Sequence, residues 1–416
     1  MNEPLKLKIP FLIVTPAFVG DADQQAALRP QSFKGLLRHW HRAIDPHIVK
    51  RDAKGCAGSG RDDEIWGGTD KGHGQSRVLL RITSRRDPQT WSWDRQKFNA
   101  HTSGHGRNAV NGAWYLGYPF GLKGNSHRNA LAPNTLFTLE GMIPDGDRLG
   151  MEKIQAILAS FWLLAMLGSC GTRGRRGFGS LQAQGWSLEN DDNSPLWRSL
   201  FARLPSPGRA NTPENWRQEL NQGMRVLRDW FADEHFSTQA LHPHIDLTRK
   251  FSPVLLPGVS DWQGALARAG EKMQRFRRRK QPDYRWAKEA MEKPDRRDHQ
   301  APRRVSFGLP LTFRFSSLKG HQLTYYPTRI HKDDPRPPER FASPLYIKII
   351  RLGLRYHAMF FLLAGLQPGQ EQNLRSWHVK REKYGKVEFT KSNYYPPVDQ
   401  SALNEFLTQI RQENVA

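Results

Sequence analysis

Apolar and polar positions in the first 190 residues predict strands and helices in a definite order. Apolar residues alternate with lysines at the start of residues 5–14, which indicates a strand. Residues 30–44 repeat apolar positions at helical spacing, and Ser32 is the candidate N-cap of that helix. Further strands are predicted at 77–83, 136–142 and 181–186, a strongly apolar helix at 152–167, and a long irregular stretch at 84–135. This order is typical of a ferredoxin-like split βαβ unit with insertions.

The second half of the chain has a less regular pattern. A polar stretch with prolines at 190–215 indicates a linker or an excursion of the chain. The predicted helices are 214–231, 261–279 and 401–411, and the predicted strands are 305–315, 323–326 and 345–352, with apolar sequence continuing to 365. We therefore predict an α+β protein with two domains, residues 1–189 and 190–416.

The chain is strongly basic: 63 Lys and Arg residues against 40 Asp and Glu give a net charge of +23 over 416 residues. So large an excess favours a polyanionic partner. Only two cysteines are present, which excludes a disulfide framework or a cysteine-based zinc cluster. The longest apolar run, 156–168, falls short of the roughly 20 residues that span a bilayer. With no signal-peptide pattern at the N-terminus, we expect a cytoplasmic protein without membrane association.

The segment Gly171–Ser180 combines four glycines, Gly171, Gly174, Gly177 and Gly179, with the three arginines Arg173, Arg175 and Arg176. It follows a predicted helix and precedes a strand, which is the wrong polarity for a dinucleotide-binding loop, and it has no Gly-Lys-Ser/Thr. Glycine allows close backbone approach and arginine grips phosphate. We predict a phosphate-binding loop whose arginines can be replaced at little cost in stability. A helix C-cap with a tight turn remains the alternative.

The predicted helix 30–44 carries Lys34, Arg38 and Arg42, of which the first two share one face. Beside a glycine-arginine loop, such a face would follow an RNA backbone, although a solvated basic face is the ordinary alternative. His39 and His41 on the same helix leave open a metal-independent RNA-cleaving activity, but no carboxylate is spaced to orient either ring. We expect no catalytic residue, no cofactor and no metal site.

Three further features leave alternatives open. Asp62, Asp63 and Glu64 are interpreted as a polar loop rather than a cation site. Residues 268–304 hold a local excess of eight positive charges, and aromatic and basic residues interleave at 275–286, which fits either single-strand binding or a solvated loop. Trp91, Trp93 and Trp114 either form a docking surface or fill the first core.

Several short motifs occur in an order that resembles a known family. They are residues 15–20 (TPAFVG), 28–40 (LRPQSFKGLLRHW), 64–67 (EIWG) with 74–76 (GQS), 115–119 (YLGYP), 171–180 (GTRGRRGFGS), 307–311 (FGLPL) and 343–345 (SPL). Together they resemble the RAMP superfamily of CRISPR proteins, and within it the large two-domain RAMP subunits of type III-B (Cmr) effector complexes. Trp66 stands where the family usually has Phe, and Ala17 and Val19 depart from a more glycine-rich turn.

The resemblance implies two tandem ferredoxin-like (RRM-like) domains. It also implies a subunit that caps the head of the complex near the guide RNA 3′ region, helps capture target RNA, packs against other RAMP subunits and does not itself cleave. Five positions that match the family motifs inherit an RNA-facing role: Lys34, Arg38, Arg173, Arg175 and Arg176. A general RRM-like RNA-binding module is less favoured, because the aromatic strand motifs of that module are absent.

Overall fold

The structure is a computed structural model. It describes residues 3–21, 23, 25–45, 61–68, 74–104, 109–121, 129–192, 194–231, 247, 251–278, 282–293, 300–328, 342–363, 373–381, 387–391 and 401–415. The chain forms two compact units, the first comprising Met1–Glu271 with Tyr346–Leu363 and the second Lys272–Leu345 with Ala364–Ala416. These units differ from the predicted domains 1–189 and 190–416, which remain a prediction.

The described strands and helices are numbered in chain order. The strands are β1 (Leu5–Ile13), β2 (Leu79–Thr83), β3 (Thr90–Ser92), β4 (Asn129–Leu131), β5 (Leu136–Ile143), β6 (Leu181–Ala183), β7 (Ser187–Glu189), β8 (Val254–Leu255), β9 (Leu311–Phe313), β10 (His321–Thr328), β11 (Leu345–Leu352), β12 (Arg355–Leu362), β13 (Asn373–Arg381) and β14 (Val387–Lys391). The α-helices are α1 (Pro30–Ile44), α2 (Arg61–Trp66), α3 (Gly112–Leu116), α4 (Met151–Leu167), α5 (Pro195–Arg203), α6 (Pro213–Phe231), α7 (Trp262–Arg278), α8 (Asp283–Glu292) and α9 (Ser401–Val415).

The main sheet of the first unit has the order β2-β5-β1-β6, and β7 also pairs with β1. Every pairing in it is antiparallel, and the register sets Ile9 opposite Leu139. Helix α4 is buried continuously from Ile154 to Leu167, which explains its uniformly apolar sequence. Helix α1 begins at Pro30, so Ser32 is not its N-cap. Proline suits the first helical turn because its fixed φ matches the helix and its missing N–H costs nothing there.

The irregular stretch 84–135 contains short elements whose aromatic side chains pack together. Trp91 and Trp93 lie 6.2 Å apart between ring centroids, and both contact the buried Phe98. Trp93 also contacts Phe178 of the glycine loop. These two tryptophans are therefore half-buried members of an aromatic cluster within the first unit, and their role in docking a partner stays a prediction. Trp114 is half-buried, and its ring nitrogen donates to a backbone carbonyl of the same stretch.

A second sheet of the first unit has the order β11-β12-β8. Its strand β11 is almost completely buried, as the apolar run at 345–352 predicted. Residues 190–215 are not merely a linker, because they include α5, which buries Trp197 and Leu200.

The second unit contains an antiparallel four-stranded sheet of order β14-β13-β10-β9. Its core contains Leu323 and Tyr325 of β10 together with Ala287 of α8. The predicted strand 305–315 is wrong in its first half, since Arg303–Phe307 is a 3₁₀ helix and only Leu311–Phe313 is a strand. The sequence also failed to predict α8, β13 and β14.

Carboxylates neutralise part of the basic region 268–304. Asp283 is buried, and it accepts hydrogen bonds from the backbone and side chain of Arg304. Arg303 pairs with Glu405 and Lys272 with Glu413. The local charge excess read from the sequence therefore overstates the charge that this region offers a ligand.

Candidate nucleic-acid interface

Three glycines of the glycine loop, residues 171–180, are required by its backbone path. Gly171, Gly177 and Gly179 have φ values of +80°, +86° and +61°. A Cβ on Gly179 would lie 1.9 Å from the carbonyl oxygen of Cys170, which only glycine avoids. Gly174 does not have a positive φ, and a Cβ there would lie 3.3 Å from the carbonyl oxygen of Gly171, a tight contact that a small shift relieves. Most of the glycine pattern thus serves a tight turn and close packing, rather than exposing backbone for a ligand.

At least five of the ten backbone N–H groups in this loop donate hydrogen bonds within the protein. Thr172 donates to Phe18 at 3.0 Å, and Gly179 donates to Pro16 at 2.9 Å. The N–H groups of Gly174, Arg176 and Ser180 also donate internally. At least half of the predicted backbone cradle for phosphates is therefore occupied, which shifts the candidate ligand-binding role toward the side chains of the loop.

The three loop arginines are half-buried and each is held in a different way. Arg173, itself in the left-handed region at φ +66°, donates from Nε to the carbonyl oxygen of Leu116 at 2.8 Å. The guanidinium of Arg175 lies over the ring of Tyr346, 4.8 Å from its centroid. Arg176 forms a parallel bridge with Ile347 of β11. Arg173 links the loop to the end of α3 by its hydrogen bond to Leu116. We therefore expect its replacement to cost stability, unlike replacement of the other two arginines.

Tyr346 connects the glycine loop to α1. Its hydroxyl lies 3.1 Å from Nε2 of His39, and its ring stacks on Phe361 at 4.9 Å. Burial raises the pKa of Tyr346 to about 12, against the opposing effect of the Arg175 guanidinium, so the hydroxyl stays protonated at neutral pH. The structure thus brings the two predicted RNA-facing elements together around a residue that the sequence did not identify. The one sequence signal was its position directly after the Ser-Pro-Leu motif at 343–345.

The basic face of α1 is partly neutralised by α2. Arg38 Nε lies 2.5 Å from Asp62 Oδ2, and a second nitrogen of Arg38 pairs with Asp63. Arg42 also contacts Asp62 at 2.7 Å. Burial by itself would raise the pKa of the Asp62 carboxyl, but Arg42 and Arg38 together lower it below its usual value. These acidic residues are therefore neither a loop nor a cation site, and they hold two of the predicted RNA-facing arginines.

Lys34 lies one turn before Arg38 on α1 and is half-buried. Burial, and then the nearby Arg38 charge, lower the pKa of its ammonium group. No carboxylate pairs with Lys34 among the residues that the structure describes. Lys34 is therefore the cation of α1 best placed to accept an anionic ligand.

The two histidines of α1 have structural partners. His41 is 1% exposed, accepts a hydrogen bond from Trp66 Nε1 at 3.1 Å, and has Nε2 3.3 Å from Asp45. His39 faces Tyr346. Burial removes His41 from contact with a substrate, so the RNA-cleaving alternative keeps only His39.

The described ranges contain neither a cluster of metal ligands nor a helix that could span a membrane. Within them, no three His, Cys, Asp or Glu side chains are grouped to hold a metal ion. In the same ranges no helix has both the length and the apolar character to cross a bilayer. His101 lies 3.4 Å from Asp261, whereas His105 and His127 fall outside the described residues.

Comparisons with known proteins agree with this architecture. Residues 11–182 match the family model of the RAMP superfamily. The chain is 23% identical over 335 residues to the CRISPR system Cmr subunit Cmr1-1 of Pyrococcus furiosus, covering 78% of this chain and 77% of that protein.

Solved structures extend the similarity to nearly the whole chain. The crystal structure of Cmr1 from Pyrococcus furiosus in its apo form gives a TM-score of 0.54 at 17% identity, covering 98% of this chain and 97% of Cmr1. A chain of the cryo-EM structure of the type III-B Cmr-beta complex bound to cognate target RNA gives 0.52 at 12% identity, covering 99% of both chains. The α+β fold with antiparallel sheets is thus shared with Cmr1, and residues 11–182 match the RAMP superfamily model.

Proposed function

We propose that this protein is a non-catalytic RNA-binding subunit of a type III-B CRISPR effector complex. In this role it caps the head of the complex near the guide RNA 3′ region and helps capture target RNA. The observation that carries the proposal is the fold shared with Cmr1 over 98% of the chain. Its partners are then guide RNA, target RNA and other RAMP subunits, and it works in the cytoplasm without a cofactor.

The candidate interface supports RNA as the ligand. Arg175 and Arg176 of the glycine loop lie beside β11, and Tyr346 joins them to α1, which carries Lys34. Cations fixed on rigid elements bind a phosphate backbone with little loss of conformational freedom. Arg38 and Arg42 stay part of the proposed interface. Their positive charges add to the electrostatic field around α1, although their guanidinium groups contact carboxylates.

We extend the proposal to the domain organisation. Two tandem ferredoxin-like domains, residues 1–189 and 190–416, are supported by the β2-β5-β1-β6 sheet with α1 and α4 in the first half. The β14-β13-β10-β9 sheet with α8 supports the second. The alternative is a general RRM-like RNA-binding module. The similarity of this chain to Cmr1 favours an effector subunit over that alternative.

RNA binding to the purified chain tests the proposal. About five phosphate contacts should give a log–log salt slope near −3 to −4 for single-stranded RNA, from about −0.7 per contact, with little sequence preference. Replacing Lys34, Arg175 and Arg176 together by alanine should flatten this slope by about 2 and weaken retention of guide RNA in the assembled complex.

A charge-matched control separates the site from general electrostatics. Arg198, Arg203 and Arg217 are exposed arginines of α5 and α6, and their triple alanine variant removes the same charge elsewhere. It should keep the parental slope. Equal loss in both variants, or a parental slope near zero, would contradict the proposed interface. RNA cleavage by the purified chain that His39→Ala abolishes would support the nuclease alternative instead.

A further inference from the structure

The corner formed by α3 and the following 3₁₀ helix, Tyr118–Gly121, is fixed against the glycine loop. Arg173 donates a hydrogen bond to the carbonyl oxygen of Leu116, the last residue of α3. Phe120 stacks on Phe18 with ring centroids 3.7 Å apart, and it packs edge-on against Phe178 of the loop at 5.2 Å. Both sides of residues 117–119 are thereby anchored to the loop that carries the arginines.

Gly117 tightens this anchoring. Its Cα lies so close to Trp93 that an added Cβ would be 2.2 Å from the indole ring. Trp93 in turn contacts Phe120 and Phe178. The backbone before Tyr118 is therefore held by tight packing, and the backbone after it by aromatic stacking.

Tyr118 is the exception in this packed corner. Its side chain is 57% exposed, while Leu116 and Phe120 on either side are buried. No hydrogen bond, ring contact or cation pairs with Tyr118 among the described residues. Two residues of chain reach at most about 7 Å, so the Cα of Tyr118 lies within that distance of Leu116, which Arg173 contacts. A packed turn thus presents one exposed aromatic ring two residues from the Leu116 carbonyl that Arg173 contacts.

We propose that Tyr118 is a base-stacking residue that holds an unpaired nucleobase of the RNA bound at the glycine loop. This inference rests on the proposed function and adds a contact with the bases to it. Phosphate groups engage the loop arginines, and a base of the same or the next nucleotide lies on the phenol ring. Stacking on an aromatic face is tolerant of sequence, because every base has a π-face. The fixed backbone lets the ring bind without first paying an ordering cost.

Charge favours RNA over a protein as the occupant of this surface. The exposed ring adjoins a loop with three arginines in a chain of net charge +23, and single-stranded nucleic acid is the ligand that combines negative charge with exposed aromatic faces. A protein surface that docked here would be acidic and apolar, and the experiment below distinguishes it.

Binding of a single-stranded RNA to the full chain tests the proposal with two variants. Tyr118→Ala should weaken binding by about five- to a hundredfold with the salt slope unchanged, since stacking releases no counterions. Tyr118→Phe should bind as the parent does, because it keeps the ring. Leu354→Ala is the control: it removes an 82% exposed apolar side chain and should have no effect.

An RNA whose bases are removed at successive positions gives the decisive comparison. At the stacked position, the parent should lose affinity and the difference between parent and Tyr118→Ala should vanish. If Tyr118→Ala binds intact RNA as the parent does while the triple variant at Lys34, Arg175 and Arg176 fails, the stacking role is wrong and the proposed function stands. If neither variant affects RNA binding, the proposed function fails as well. Loss of another subunit from the complex, with RNA binding intact, would identify a protein-docking role and overturn the inference.

Discussion

Replacing Lys348 by methionine should stabilise the protein at neutral pH and remove part of the pH dependence of its stability. Lys348 lies on β11, is 1% exposed, and donates a hydrogen bond to the carbonyl oxygen of Met166 at 3.0 Å. That carbonyl belongs to the last turn of α4, where the helix dipole favours a cation. Burial nevertheless lowers the pKa of Lys348 from 10.5 to about 7.

The direction of the pH effect follows from the two pKa values. Between pH 7 and 10.5 the unfolded chain binds one proton more at Lys348 than the folded chain does, so the free energy of unfolding rises with pH. At about 1.4 kcal/mol per pKa unit, the ammonium costs about 5 kcal/mol below pH 7, where both states are protonated. The gain in unfolding free energy from pH 7 to 9 is about 2 kcal/mol.

Methionine keeps most of the volume and removes the charge, but it leaves the Met166 carbonyl without its donor, at a cost of about 1–3 kcal/mol. Lys348→Met should therefore raise the free energy of unfolding at pH 7 by about 2 kcal/mol. Urea unfolding followed by circular dichroism at pH 7 and 9 measures both effects. Lys153→Met, a half-exposed position on α4, is the control and should keep the parental pH dependence. An identical pH dependence in the parent and Lys348→Met would refute the argument.

Three further predictions address the glycine loop and α1. Gly179→Ala should lower the free energy of unfolding by about 2 kcal/mol or more, because φ is +61° and the added Cβ would overlap backbone atoms. Gly174→Ala should change the free energy of unfolding little. Equal melting temperatures for the two variants would contradict this prediction. Arg38→Ala should lower stability by about 1–3 kcal/mol at pH 7. Arg38 helps to lower the folded-state pKa of Asp62, so the stabilisation is present above about pH 4, and the deficit seen in thermal unfolding should shrink as pH falls below that value. Tyr346→Leu should reduce the RNA salt slope by about 0.7 through the loss of one positioned arginine, while Tyr346→Phe should not.

The sequence alone determined the elements whose signals are local. The apolar run of α4, the helical spacing of α1 and the buried strand β11 were all predicted nearly to the residue. Burial of one face of α1 leaves a periodic pattern, whereas burial on nearly every side of α4 and β11 leaves a mostly apolar run. The motif order also indicated the RAMP superfamily, and the family model of that superfamily matches residues 11–182. The strand at 305–315 was predicted wrongly, since a short apolar run fits a 3₁₀ turn as well as a strand.

The contacts of the candidate side chains depend on the folded chain and could not be predicted from the sequence. Arg38 looked like a free phosphate ligand, yet an acidic helix more than 20 residues away in sequence binds its guanidinium. The hydroxyl of Tyr346 contacts His39, which is 307 residues away in sequence. Glycine is required in the loop because the fold brings backbone carbonyl groups too close for a Cβ. Such contacts leave no periodic trace in the chain, because charge pairing and close packing depend on which distant segments meet.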